Sequence, residues 1–290
     1  MAEFDFIPGD GPIGGEFLGV DAAAPMSDAT FSEIESLFYD RSVVVFRGQD
    51  LTPQQFVAFS ARFGTLQPNV RAEIQNPDAP EITLISNITE NGKAIGSRDA
   101  GRYWHSDLCY LSEPSKLTLL HALEVPERDG VAYGDTRFAS APAAYDALSD
   151  EMKARLDGRK AANSYRYMWN RKAREFGVRP VLSDEELQQY PEDAIHPIVR
   201  THPVTGRKCL YVCEGYTSRI DGMPQAESDA LLQELFAHAI KPEFVYRHNW
   251  RLGDLLVWDN CAVQHKATFD YPPELRRRMQ RCAVEGSVPY

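Results

Sequence analysis

The chain has few cysteines, five in all, at positions 109, 209, 213, 261 and 282, and no Cys-x-x-Cys pair. An odd, scattered set argues against a disulfide framework and against a four-cysteine zinc cluster. The thiols are therefore expected to act as small core residues of a reduced, cytoplasmic protein. No apolar run reaches the ~18 residues of a membrane helix, and Met1-Ala2-Glu3-Phe4-Asp5 lacks the basic and apolar blocks of a secretory leader. Positive charge is also scarce: the formal net charge is -11 and the pI is near 5.2. A nucleic-acid or anionic-membrane partner is not expected, because either needs an accumulated positive field. Internal repeats and low-complexity segments are missing as well.

What is present suits a folded domain. The 290 residues, 43% hydrophobic and 25% charged, are enough to bury a sizeable core, and residues 1–290 read as one domain. Ser27 and Asp28 cap a helix with Phe31, Ile34, Leu37 and Phe38 on its apolar side, and 42–46 is a buried strand. Thr52 and Pro53 start a second helix, carrying Phe56, Phe59 and Phe63, that stops at Gly64. Further strands are expected at 82–85, 117–123, 198–201, 210–212, 244–247, 255–258 and 279–284. Helices are expected at 141–156 and 226–240. The glycine-containing stretch over about 87–103 reads as a lid loop, and about 165–195 as an irregular insertion. Many short strands with segregated helices point to an α+β fold with a β-sandwich or barrel core.

Chemistry concentrates first in Trp104-His105-Ser106-Asp107. In extended chain, side chains two residues apart point to the same side, so His105 and Asp107 are placed to share one metal ion. The next ligand must come from elsewhere, and His265, beyond Leu255-Leu256-Val257-Trp258, is the best candidate. Two histidines and a carboxylate with open positions opposite them are the facial triad of non-haem Fe(II) oxygenases. The same groups suit zinc, so a zinc-dependent hydrolase or metal-binding protein on the same barrel stays open. His121 reads as a core residue, and His196 and His202 as turn residues beside Pro197 and Pro203. Arg276, Arg277, Arg278 and Arg281 form a basic cluster in an acidic chain. Arg276 and Arg278 read as solvated charges. Arg277 and Arg281 share parity on a strand and face one side, where a guanidinium grips a carboxylate through two parallel hydrogen bonds.

Taken together, His105-Ser106-Asp107, Gly134-Asp135-Thr136, Trp258-Asp259-Asn260 with His265, and Arg277 with Arg281 resemble the pattern of the taurine dioxygenase and aryloxyalkanoate dioxygenase family. The likeness extends to 201–206, 214–217 and 241–244, so it covers nearly the whole chain in order. It implies a double-stranded β-helix, or jelly roll, with His105, Asp107 and His265 on Fe(II). It also implies 2-oxoglutarate as cosubstrate and O2 as oxidant, with Thr136 and a tail arginine on the distal carboxylate. The preferred assignment gives Arg277 to 2-oxoglutarate and Arg281 to an acid group on the substrate, with the reverse or a shared role open. Asp107 favours hydroxylation, since halogenating relatives lack that carboxylate. The segment Arg62-Phe63-Gly64-Thr65-Leu66 runs into Gln67, Pro68 and Asn69 without the histidine of taurine dioxygenases, which turns the expectation away from taurine. Asn87 with Glu90-Asn91-Gly92-Lys93 instead looks like the branch that oxidises N-carboxymethyl amino fatty acids to isonitriles. The expected partner is a small or medium organic acid (sulfonate, aryloxyalkanoate or N-carboxymethyl amino acid), lined by Asn69, Tyr103, Tyr110, Tyr165 and Arg281. A homo-oligomer is compatible with the exposed edges.

Overall fold

Segments from both ends of the chain alternate in one eight-stranded sheet, and this interleaving positions everything else. Its order is Asp5–Pro8, Gly15–Leu18, Val43–Phe46, Leu255–Asp259, Leu117–Glu124, Arg278–Val284, Ala79–Ser86 and Gln75–Asn76. Neighbours are antiparallel except Gly15–Leu18 with Val43–Phe46. The computed structural model describes residues 4–67, 74–177 and 179–290.

Alternation along the strands divides the sheet into two working faces. Val44, Phe46, Leu117, Leu119, Leu255, Val257, Cys282 and Val284 turn to one side. There they meet Phe31, Ile34 and Phe38 of the helix Asp28–Arg41 and Phe56 and Phe59 of the helix Pro53–Ala61. Ser27 caps the first helix, and a Thr52–Gln55 capping box starts the second, as their sequences require. Val43, Val45, Leu120, Ala122, Leu256, Trp258 and Met279 turn the other way, against Phe138, Trp250 and Val263. Phe138 and Val263 belong to a three-stranded sheet ordered Val245–His248, Thr136–Ser140, Val263–Ala267. A separate core packs the helix Gln225–Ala239, through Leu231, Leu232 and Leu235, on Leu156, Ile198, Leu210 and Ile220. The architecture is thus mixed helix and sheet, with two antiparallel layers enclosing a shared interior.

Several expected elements change in detail. The helix expected over 141–156 is two, Ala141–Asp146 and Asp150–Leu156, because Ser149 caps a new start by accepting from the Met152 amide. The expected irregular insertion contains a 12-residue helix, Tyr165–Phe176, and the short Asp184–Leu187. Its polar face is basic and aromatic, so the apolar spacing that flags a helix is weak there. The expected lid loop is partly paired: Thr89–Glu90 and Lys93–Ala94 form a hairpin, and Ser97 bridges to Ile85. Strands at Asp5–Pro8, Gly15–Leu18, Lys160–Asn163, Ala194–Pro197, Thr217–Ile220 and Val263–Ala267 were not anticipated. All five cysteines are free and buried. No helix among the described residues is long and apolar enough to cross a membrane.

Phe59 stacks edge-on against Phe31, Phe46 and Phe63 and is 4% exposed. Phe59→Ala should lower the unfolding free energy by about 3–5 kcal/mol, read as a reduced urea midpoint at unchanged slope.

Candidate active site

Backbone pairing brings the first two candidate ligands together. His105 and His265 exchange hydrogen bonds, amide to carbonyl, at 3.0 and 2.7 Å, as an isolated antiparallel bridge on the edge of Val263–Ala267. Their rings lie 4.1 Å apart. The His105 Nδ1 lies 3.0 and 2.9 Å from the carbonyl oxygens of Tyr103 and His265. A carbonyl only accepts, so Nδ1 carries the proton and Nε2 keeps its lone pair for a ligand role. The His265 ring is held between Phe138 and Trp258, at 5.8 and 4.8 Å. Burial pushes the pKa of both imidazoles down, that of His265 to about 3, which keeps them neutral, as metal ligation needs.

Asp107 joins from the same loop, its Oδ1 3.7 Å from His105 Nε2. Burial pushes its pKa up, but Arg281, His265 and His105 outweigh that and hold it at about 2. One ligand atom from each of the three residues lies within 4.8 Å of the others. The carboxylate is aimed by a chain of hydrogen bonds whose direction is fully determined. The Trp258 indole N–H, which can only donate, binds Asn260 Oδ1 at 3.0 Å. Asn260 Nδ2 then donates to Thr118 Oγ1 at 2.9 Å, and the Thr118 hydroxyl donates to Asp107 Oδ2 at 2.7 Å. Ser106 Oγ on the Asn260 carbonyl ties down the loop between the two ligands. Gly215 lets the adjoining segment approach: its N–H reaches the Trp104 carbonyl at 2.9 Å, and a Cβ there would sit 3.0 Å from that oxygen.

The two arginines reach the same interior by the expected parity. Arg281 Nη1 is 3.4 Å from Asp107 Oδ1. Arg277 is 5% exposed, has no carboxylate in ion-pair contact among the described residues, and its Nε is buried without a partner. Burial pushes its pKa down, with Tyr271 the nearest compensating group. A buried guanidinium without a counter-ion in contact is costly, so Arg277 is suited to receive an acid. Arg277 is held from behind by Asn87, whose Oδ1 accepts the Arg277 amide at 2.8 Å and whose Nδ2 donates to the Leu275 carbonyl at 2.8 Å. Arg276, by contrast, pairs with Glu124 on the surface. Thr136 is buried, and its Oγ1 accepts the Trp250 indole N–H at 3.1 Å. That leaves the threonine proton free to donate.

Aromatic rings form one wall: Tyr216 lies 6.1 Å from the His105 ring, Tyr110 lies 5.1 Å from Tyr216, and Tyr165 lies 4.8 Å from Tyr110. Burial raises the pKa of Tyr110 and Tyr216, so both stay protonated. Tyr103 sits apart from that wall, its hydroxyl 2.6 Å from Glu175 and its ring under the Arg171 guanidinium at 4.3 Å. Asn69 lies outside the described residues. The 87–103 segment carries an ionic clasp, in which Lys172 and Arg179 both bind Asp99.

Sequence reading missed Thr118, Asn260 as a side-chain link, Trp250, Tyr216 and Tyr271. Trp258-Asp259-Asn260 was flagged, but which of its side chains faces Asp107 depends on the cross-strand partner, Thr118. His202 is a turn residue as expected. Its Nδ1 accepts the Val204 and Thr205 amides, and its Nε2 donates to Asp259 at 2.6 Å.

Comparison with known proteins gives a consistent set. A family model described as "Taurine catabolism dioxygenase TauD, TfdA family" matches residues 5–283. The chain is 35% identical over 280 residues to the alpha-ketoglutarate-dependent 2,4-dichlorophenoxyacetate dioxygenase of Cupriavidus pinatubonensis, covering 91% of this chain and 92% of that one. It is 34% identical over 283 residues to the pentalenolactone F synthase of Streptomyces arenae, covering 95% and 92%. The solved structure of AAD-2 in complex with Mn(II) and N-oxalylglycine superposes with a TM-score of 0.79 at 32% identity, covering 99% of this chain and 98% of that one.

Thr118→Val removes the donor to Asp107 Oδ2 while keeping the shape. It should weaken Mn(II) binding to the metal-free protein about 10- to 100-fold without unfolding it. Unchanged affinity by anaerobic calorimetry would show that Asp107 needs no such support.

Proposed function

Because the chain belongs to the TauD, TfdA family of dioxygenases, we propose that His105, Asp107 and His265 hold its Fe(II) and that Arg277 and Thr136 hold 2-oxoglutarate. The protein is an oxidoreductase, a dioxygenase that uses Fe(II), 2-oxoglutarate and O2. With these bound, 2-oxoglutarate is decarboxylated to succinate and CO2, one oxygen atom enters the succinate, and the other enters a substrate C–H bond as hydroxyl. The dependence on 2-oxoglutarate sets aside the zinc-hydrolase alternative, which has no use for a dicarboxylate cosubstrate.

The observation that supports the residue assignment is the Arg277 guanidinium, buried with no carboxylate in ion-pair contact among the described residues and with its Nε unbonded, on the strand parity it shares with Arg281 beside Asp107. A dicarboxylate that reaches the metal with one end satisfies Arg277 with the other, through two parallel charge-assisted hydrogen bonds. Thr136 adds a third, because its Oγ1 accepts the Trp250 indole N–H and keeps its own proton to donate. We read the two-layer interior as a double-stranded β-helix within a single domain, with the Tyr165–Phe176 helix and the 87–103 segment closing its mouth.

For the substrate, Arg281 grips an acid group beside Asp107, and Tyr216, Tyr110 and Tyr165 line the apolar body. Orientation by these groups, with solvent excluded by the Asp99 clasp, selects which C–H bond lies next to the metal. The wall favours an organic acid with an aryl or extended apolar body, the class that includes aryloxyalkanoates and N-carboxymethyl amino fatty acids. Where the hydroxylated carbon bears oxygen, the product separates into a carbonyl compound and an alcohol or phenol. Repeated oxidation next to nitrogen would be the route to an isonitrile.

Succinate formation across a panel of aryloxyalkanoates, N-carboxymethyl amino fatty acids and alkylsulfonates names the class. Strong stimulation by a carboxylate with an apolar body is expected, and preferential stimulation by taurine would overturn the substrate reading. His105→Ala and Asp107→Ala should reduce 2-oxoglutarate consumption to background with an unchanged circular-dichroism spectrum; normal consumption would sink the ligand assignment. Trp250→Phe keeps an aromatic ring at some loss of buried volume and removes the indole donor that holds Thr136 Oγ1. It should raise the KM for 2-oxoglutarate about 3- to 10-fold with kcat nearly unchanged at saturation, whereas a merely structural role would lower the melting temperature and leave KM alone.

A further inference from the structure

A second cavity, of about 370 Å³, lies on the outer face of the three-stranded sheet. It falls within the range of small-molecule sites. Strand alternation explains its position. His265 and Phe138 are register partners facing the interior, so their neighbours Lys266 and Arg137, also partners, face outward. Trp104 likewise faces away from the side that His105 takes. The cavity therefore backs onto both imidazoles across one layer of backbone.

Its lining carries three cations, Arg102, Arg137 and Lys266, and no carboxylate. In a chain of net charge -11 this local excess is unusual, and like charges directly opposite across two strands are destabilising. None of the three has an acidic partner among the described residues. Asp99, close by, is already engaged by Lys172 and Arg179. The Arg102 guanidinium lies over the rings of Phe176 and Phe269, at 4.8 and 4.3 Å, and its Nε is buried without a hydrogen-bond partner. Cations held by aromatic stacking and left without counter-ions are prepared for an anion, and the Trp104, Phe176 and Phe269 walls suit an apolar body attached to it.

We propose that this cavity is a second anion-binding site, separate from the metal centre, which takes an organic acid with an aryl or apolar body. Arg137 and Lys266 bind the acid group from the two strands, and Arg102 closes over it. The inference rests on charge and shape at this face and does not depend on which residues hold iron.

The test is calorimetric titration of the full-length protein with phenylacetate, with neutral phenylacetamide as control. Three forms are compared: the unaltered protein, Arg281→Gln, in which the substrate site is weakened, and Arg281→Gln carrying Arg137→Glu/Lys266→Glu. Phenylacetate should still bind Arg281→Gln, the amide should bind neither that form nor the unaltered protein, and charge reversal added to Arg281→Gln should weaken the acid ~10-fold or more. Binding should also fall as salt rises. Absence of all binding to Arg281→Gln, undiminished binding after charge reversal, or equal binding of the amide would overturn the proposal. Should charge reversal perturb folding, Arg137→Gln/Lys266→Gln with an unaltered melting temperature replaces it, and undiminished affinity there refutes the site.

Discussion

The reciprocal backbone hydrogen bonds between His105 and His265 are what the site depends on. They close two segments 160 residues apart into one short ladder, fix the rings 4.1 Å from each other, and leave Asp107 to turn in from the next residues of the loop. Phe138 and Trp258 pack the His265 ring from the interior, so its orientation is set by the same core that stabilises the two sheets. Preorganisation of this kind suits the proposed metal ligation, since the candidate ligand atoms already lie together and burial keeps both imidazoles neutral.

Charge is distributed by the same logic. An acidic chain places its consequential cations one by one: Arg277 buried without a counter-ion, Arg281 against Asp107, and Lys172 with Arg179 on Asp99. Each occupies a low-dielectric setting where a single charge counts for more than several on the surface. Arg276, two-pronged on exposed Glu124, shows the contrast, since solvent screens that pair. Asn87 links the lid to the arginine segment through three backbone-directed hydrogen bonds. The position of the 87–103 segment is thereby tied to that of Arg277.

The larger sheet makes these contacts possible by interleaving early and late strands. Leu117–Glu124 lies between Leu255–Asp259 and Arg278–Val284, so Thr118, Trp258 and Arg281 all face one interior by parity. A one-residue slip in that register would turn each of them toward the helices.

The sequence by itself determined the local elements with strong periodicity or chemistry: the capped helices at 28–41 and 53–61, the apolar strands, the buried cysteines, and the candidate groups at His105, Asp107, His265, Arg277 and Arg281, with Thr136 added by the family resemblance. Those signals depend on neighbours a few positions away, which a linear reading contains. The helix at 165–176 escaped it because its buried positions, Met168, Asn170, Lys172 and Ala173, mix apolar with polar side chains. Thr118, Trp250, Tyr216 and the outward cluster of Arg102, Arg137 and Lys266 escaped for a different reason. Nothing in their own surroundings marks them, and their roles arise from cross-strand register and from which face of a sheet is enclosed. Only the tertiary structure decided those, because hydrogen-bond direction and unbalanced charge exist only once distant strands have been brought side by side.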